Sequence, residues 1–228
     1  AIGEIGVSGN DIDAASEAIY IDYEYVAYEM NDSDFPCEAT LNLGDISIRD
    51  NTIAGDSYGI YLEYYDYEVG YYMYDDAYAK LPSHNITGNT FNVTGDGIYL
   101  DNYGNPYDIY DNATIDFGGM LIDDNTFNGL ARNAGNPMDN GVYMYLDDFC
   151  YDNYLNTNTI IGDYIVTNNE FYNLSSDAIY IGYNDIIYLY NNSTLDVGNM
   201  IISDNIIDGA ANGIYIYYYL YSYDDSTV

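Results

Sequence analysis

An all-β parallel β-helix is the fold class this sequence predicts, and three observations predict it. A long pattern recurs six times along the 228 residues. Within each copy, apolar and polar residues alternate with a period of two, as strands require. No stretch keeps the 3.6-residue spacing of an amphipathic helix.

Each unit is anchored on an asparagine: Asn10, Asn51, Asn89, Asn125, Asn169 and Asn205. An apolar residue lies three before it (Val7, Ile48, Ile86, Ile122, Val166, Ile202) and another two after it (Ile12, Ile53, Phe91, Phe127, Phe171, Ile207). The apolar position before Asn sits in a first strand, such as Ile46-Ser47-Ile48. A second strand runs small–aliphatic–Tyr–apolar: Ala18-Ile19-Tyr20-Ile21, Gly59-Ile60-Tyr61-Leu62, Gly97-Ile98-Tyr99-Leu100, Gly141-Val142-Tyr143-Met144, Ala178-Ile179-Tyr180-Ile181 and Gly213-Ile214-Tyr215-Ile216. A third ends in glycine, as in Thr40-Leu41-Asn42-Leu43-Gly44, Thr114-Ile115-Asp116-Phe117-Gly118 and Thr194-Leu195-Asp196-Val197-Gly198. Three short strands per turn, joined by long loops and paired with their equivalents in the next turn, make a parallel β-helix. Asn-to-Asn spacings of 36 to 44 residues give six turns. Stacked at strand spacing, they rise roughly 29 Å. Ile48, Ile60 and Leu62 then point inward and Tyr61 outward. A buried Asn at each bend is expected to bond to the Asn of the next turn, because an unpaired buried amide is costly. No linker is left over, so residues 1–228 read as a single domain, open at both ends.

The ends carry the main functional expectation. Ser226-Thr227-Val228 reads as the first half of a glycine-terminated strand whose second half is Ala1-Ile2-Gly3. From Tyr215 through Val228 to Gly3 of a second copy is 16 residues, against 18 from Tyr180 to Gly198. Exposed strand edges template further pairing and neither end shows a polar cap. Copies are therefore expected to stack head to tail into one continuous β-helix.

Composition narrows the partners. The chain has 38 Asp and Glu against three Lys and Arg, a formal charge of −35. Such a surface repels nucleic acid and anionic lipid, and no apolar run is long enough for a membrane-spanning helix. Two readings of the acid stand side by side: a solvated surface, or bound divalent cations such as calcium. No cofactor is required. For cations the candidates are Asp22, Glu63 and Asp101, which follow the Tyr strands of three successive turns and would lie about 5 Å apart. By contrast the residue before each Asn reads Gly9, Asp50, Gly88, Asp124, Asn168, Asp204, with charge interrupted at every second turn. Tyrosine is the other excess, 33 with no Trp. The column Tyr20, Tyr61, Tyr99, Tyr143, Tyr180 and Tyr215 reads either as cross-strand packing or as a contact surface for protein or sugar.

Cys37 and Cys150 lie three turns apart, roughly 14 Å along the axis, beyond the roughly 7 Å that a disulfide spans. A bond therefore ties neighbouring subunits or needs a displaced loop; free thiols are the alternative. Asn-x-Ser/Thr occurs at Asn31, Asn85, Asn92, Asn112, Asn173, Asn191 and Asn192, acceptors that suit an exported, glycosylated surface protein. A chain starting at Ala1 rather than Met is consistent with removal of an export signal. No catalytic residue is assigned: acids are everywhere, so no pair stands out, and the single His84 reads as a local polar substitution.

The repeated Asn, the aliphatic–Tyr strand and the glycine-terminated strand resemble the right-handed parallel β-helix repeat family, whose pectate-lyase-like members share such Asn ladders. This resemblance implies the architecture and leaves the chemistry open. Acidic, Tyr-rich repeats of this kind look like archaeal cell-surface proteins, and the self-stacking ends resemble the protein sheaths of filamentous methanogens. The expected function is an extracellular structural protein, not an enzyme, whose partner is itself, end to end and laterally, in a filament, hoop or sheath. The alternatives are a secreted carbohydrate-binding or carbohydrate-cleaving β-helix and an adhesin module.

Overall fold

The computed structural model describes residues 2–30, 39–65, 68–129, 137–147 and 151–223; strands, turns and bends account for the regular structure among them, without a helix. Four parallel sheets wrap one axis. The first holds Ile5–Ser8, Ile46–Arg49, His84–Thr87, Met120–Asp123, Tyr164–Thr167 and Met200–Ser203. The second holds Asp11–Ala14, Thr52–Gly55, Thr90–Val93, Thr126–Asn128, Glu170–Tyr172 and Ile206–Asp208. The third holds Ile19–Tyr23, Ile60–Tyr64, Ile98–Tyr103, Val142–Asp147, Asp177–Tyr188 and Asn212–Tyr223. The fourth holds Thr40–Asn42, Tyr78–Lys80, Thr114–Asp116, Asn158–Ile161 and Thr194–Val197. Every strand pairs in register with its equivalent one repeat later, so the fold is a parallel β-solenoid.

Two expectations need correction. The coil has four sides rather than three, because the Asn corner splits what reads as one loop into a strand before Asn and a strand after it. The residue preceding each Asn takes the left-handed conformation (φ 53–67° at Gly9, Asp50, Gly88, Asp124, Asn168 and Asp204), which turns the chain through the corner. The described strands also make five complete four-sided coils plus a sixth of three strands, slightly fewer than six full turns.

Much of the sequence read as long loop is ordered too. Tyr107–Ile109 pairs with Tyr151–Asn153, and bridges join Met73 to Ile109 and Asn153 to Leu189. This fifth line leads into tight turns at Asp75-Asp76, Asp111-Asn112 and Asn191-Asn192, each with both residues left-handed. The N–H of Ala77, Ala113 and Ser193 closes them onto Tyr74, Tyr110 and Tyr190.

The core is an axial column of inward side chains. Ile48, Ile60 and Leu62 are fully buried while Tyr61 faces out, and the facing repeats in the interior coils. Burial of each Ile or Leu contributes about 1.5–3 kcal/mol. At the centre Phe91, Phe127 and Phe171 stack at 4.7 Å with rings within 7° of parallel. The small residue opening the third-sheet strand makes room for them. A Cβ on Gly59, Gly97 or Gly141 would come within 2.4–2.6 Å of the Phe ring of the next coil. Where the next coil carries isoleucine instead (Ile53, Ile207), the equivalent position is Ala18 or Ala178.

Candidate functional site

The Asn corner forms a continuous hydrogen-bonded ladder. In each of the five steps the backbone N–H and the Nδ2 of one Asn both donate to the Oδ1 of the next, at 2.9–3.0 Å. Asn89, Asn125 and Asn169 also donate Nδ2 to the strand carbonyls of Ile48, Ile86 and Ile122 in the coil behind. The ladder is therefore polar: it ends on donors at Asn205 and begins with an acceptor at Asn10.

Two further ladders were not visible as such in the sequence. Where the second sheet turns into the third, the successive residues are Glu17, Tyr58, Asp96, Asn140, Asp177 and Asn212. Asn140 donates Nδ2 to Asp96 (2.7 Å), Asp177 donates its backbone N–H to Oδ1 of Asn140 (3.0 Å), and Asn212 donates Nδ2 to Asp177 (2.6 Å). Burial raises the Asp96 carboxyl above the usual range, against the lowering effect of the Asn140 bonds. The glycine corner runs the same way, opposite to the Asn ladder: Ser83 N–H donates to Asp45, Gly119 N–H to Ser83 and Asn199 N–H to Asp163.

The outward tyrosines line up in register from Tyr20 to Tyr215. Centroids are 4.5–5.3 Å apart, and the rings from Tyr99 to Tyr215 lie within 12° of parallel. The ring faces of Tyr143 and Tyr180 are thus covered on both sides by neighbouring rings, leaving edges and hydroxyls outside; this favours packing over sugar stacking there. Burial pushes the Tyr143 hydroxyl up to about 12. A second column, Tyr74, Tyr110, Tyr154 and Tyr190, stacks at 4.6–5.1 Å beside the tight turns. Tyr28, Tyr71 and Tyr107 form a third.

Asp22, Glu63 and Asp101 do sit side by side on the third sheet. Among the described residues no three His, Cys, Asp or Glu side chains are arranged to hold a metal ion. The hydroxyl of Tyr20 donates to Glu63, so a neighbouring phenol occupies an oxygen a cation would need. Burial, then the Glu63 charge, pushes the Asp22 carboxyl up.

His84 faces the core rather than solvent, between Ile46 and Met120. Its Nε2 lies 2.7 Å from the hydroxyl of Tyr23, itself stacked on Tyr64. Burial pushes the imidazole down to about 4. Elsewhere an open groove of about 390 Å³ runs along the glycine corner, lined by Lys80, Asn85, Asp116, Gly118, Asp163 and Ile165, among others.

Of the glycan acceptors, Asn85 and Asn92 point outward from strands and are half-buried, and Asn173 is exposed. Asn112, Asn191 and Asn192 are exposed in the tight turns, where Nδ2 of Asn192 donates to Asn156 and Nδ2 of Asn156 to Asn112. Asn31, both cysteines (Cys37, Cys150) and the terminal residues Ala1, Ser226, Thr227 and Val228 lie outside the described residues. Ile2 is described: it bridges Leu43, in line with the fourth sheet, and is exposed, as is Gly3.

The end coils differ from all others. Ile214 and Ile216 hold inward positions but are 48% and 53% exposed, whereas their partners Ile179 and Ile181 are fully buried. At the other end Ile5 is 51% exposed against 4% for Ile46 above it.

Comparison with protein-family models, curated proteins and solved structures found no match.

Proposed function

We propose that this is a structural protein that polymerises end to end, each copy covering the open coil of the next, into a filament, hoop or sheath outside the cell. The observation that carries this is the pair of end coils. Each presents a ring of strand edges around core side chains, where the interior coils leave almost none of that surface to water. Apolar patches of this kind mark interaction sites, and unpaired parallel edges are satisfied most completely by another coil of the same shape. A heterologous contact between opposite ends propagates into an open fibre or closes into a ring. The extracellular placement draws on the acidic surface and the glycan acceptor sequences, and the likeness to an archaeal sheath belongs to this proposal as well.

A folded domain fused to either end tests it. The fusion is expected to stay dispersed at concentrations where the unfused chain forms fibres, and fibres of normal length from both fusions would overturn the reading. The groove at the glycine corner favours a second reading, a carbohydrate-binding solenoid, since Lys80, Asn85, Asp116 and Asp163 offer donors and acceptors on an open backbone floor. Saturable binding of an oligosaccharide, lost on Lys80→Ala, would support it over assembly.

A further inference from the structure

We infer that two charge-alternating columns fix the orientation in which copies join, so that the partner for each end is the opposite end of a second copy of this chain, corner on matching corner. This rests on the end-to-end reading and specifies it.

The first column is the left-handed residue before each ladder Asn: Gly9, Asp50, Gly88, Asp124, Asn168, Asp204. Charge falls on coils two, four and six only. The second is the ladder Glu17, Tyr58, Asp96, Asn140, Asp177, Asn212, where charge falls on coils one, three and five. Neither column ever places carboxylates on adjacent coils, about 4.8 Å apart. Like charges are held about 9.6 Å apart instead, beyond the Debye length of about 8 Å at physiological salt. In a chain with 38 acids this regularity at two corners is selective: the third-sheet column Asp22, Glu63, Asp101 breaks it.

Both alternations continue across a head-to-tail joint. Asp204 meets the neutral Gly9 of the next copy, and the Asn212 side-chain oxygen meets the Glu17 N–H as Asn140 meets that of Asp177, so that Glu17 faces a neutral carboxamide. The ladders agree. The Asn ladder offers donors at Asn205 to the Asn10 oxygen, and the glycine-corner ladder offers the Asn199 side-chain oxygen to the Glu4 N–H. A head-to-head joint reverses strand direction and loses the parallel register on which all these pairs depend.

The test uses swaps that keep composition and net charge. Asp177→Asn with Asn212→Asp keeps one carboxylate and one carboxamide on these two coils, in the order that Asn140 and Asp177 already show, but sets Asp against Glu17 of the next copy. Gly9→Asp with Asp50→Gly exchanges residues between two left-handed positions (φ 67° and 56°) that suit both, and sets Asp against Asp204. Critical concentrations are measured by sedimentation at 50 mM salt, after circular dichroism shows unchanged strand content. The first swap is expected to raise the critical concentration on the order of tenfold, and adding Glu17→Gln to return it to within about twofold of wild type. The second swap is expected to raise it by roughly threefold, less because its positions are exposed. Wild-type assembly with both swaps unaffected, or no rescue by Glu17→Gln, overturns the charge-coded joint and leaves end-to-end assembly standing. A wild-type chain that stays monomeric overturns both.

Discussion

The closest approach of a glycine to an aromatic ring among the described residues lies between Gly141 and Phe171, and it makes a quantitative prediction. Alanine at 141 would put its Cβ 2.4 and 2.5 Å from two ring carbons of Phe171 and 2.7 Å from the Ala178 carbonyl oxygen. The ring is held because it stacks on Phe127 at 4.7 Å. Overpacking of this kind costs about 1–3 kcal/mol, while Gly→Ala returns about 0.4–1 kcal/mol through the unfolded chain. The net is a loss of about 1–2 kcal/mol, or roughly 2–8 °C in melting temperature for a domain of this size. Phe171→Ile alone removes the ring and its stacking, and costs about 1–3 kcal/mol. Combining the two recreates the Ala-with-Ile arrangement found at Ala18–Ile53 and Ala178–Ile207. Urea unfolding of the dispersed wild type, both singles and the double closes the cycle. The double should be more stable than the sum of the singles by at least about 1 kcal/mol. Strict additivity would show that the small residue is not there to admit the ring.

Other expectations follow from the ladders and the core. Asn125→Ala strips the partners of Asn89 and frees a buried backbone, so it should cost about 3 kcal/mol, whereas Asn10→Ala at the open end should cost about 1 kcal/mol or less; equal losses in urea titration would count against a continuous ladder. His84, held near 4 in the folded state, binds fewer protons folded than unfolded between pH 6.5 and 4, so its contribution to stability falls as pH drops through that window, by roughly 3 kcal/mol. Against a His84→Met, Tyr23→Phe double variant, in which that pH-dependent contribution is absent, the stability difference should change by that amount between pH 7 and pH 4; a constant difference would refute it. With a net charge of −35, raising salt from 20 to 200 mM should lower the critical concentration for assembly, and light scattering that shows no salt response would contradict end-face repulsion.

The fold was legible because the solenoid repeats one hydrophobic period many times, and Ile60, Tyr61 and Leu62 each state the same facing as their equivalents. The strand after the Asn was harder to see as separate, since Thr52–Gly55 continues the alternation and only the left-handed Asp50 marks the corner. The Tyr74–Tyr190 column was hidden in stretches that read as loop, although Tyr followed by Asp or Asn at Tyr74, Tyr110 and Tyr190 was a usable signal, which Leu155 after Tyr154 interrupts. The orientation of His84 was missed because a single histidine at a strand start gives no period of its own; its place opposite Ile46 shows it to be inward. Adjacency of Asp22, Glu63 and Asp101 was correctly placed by register, but spacing alone could not show that Tyr20 bonds Glu63.

Electron microscopy of the assembled chain with helical reconstruction tests the central claim most directly. The account predicts strands running unbroken through every joint at about 4.8 Å spacing, with the chain repeating every roughly 29 Å along the fibre or hoop. Discrete, monodisperse particles at all concentrations, or fibres whose copies touch through side faces with the end coils left open, would contradict it.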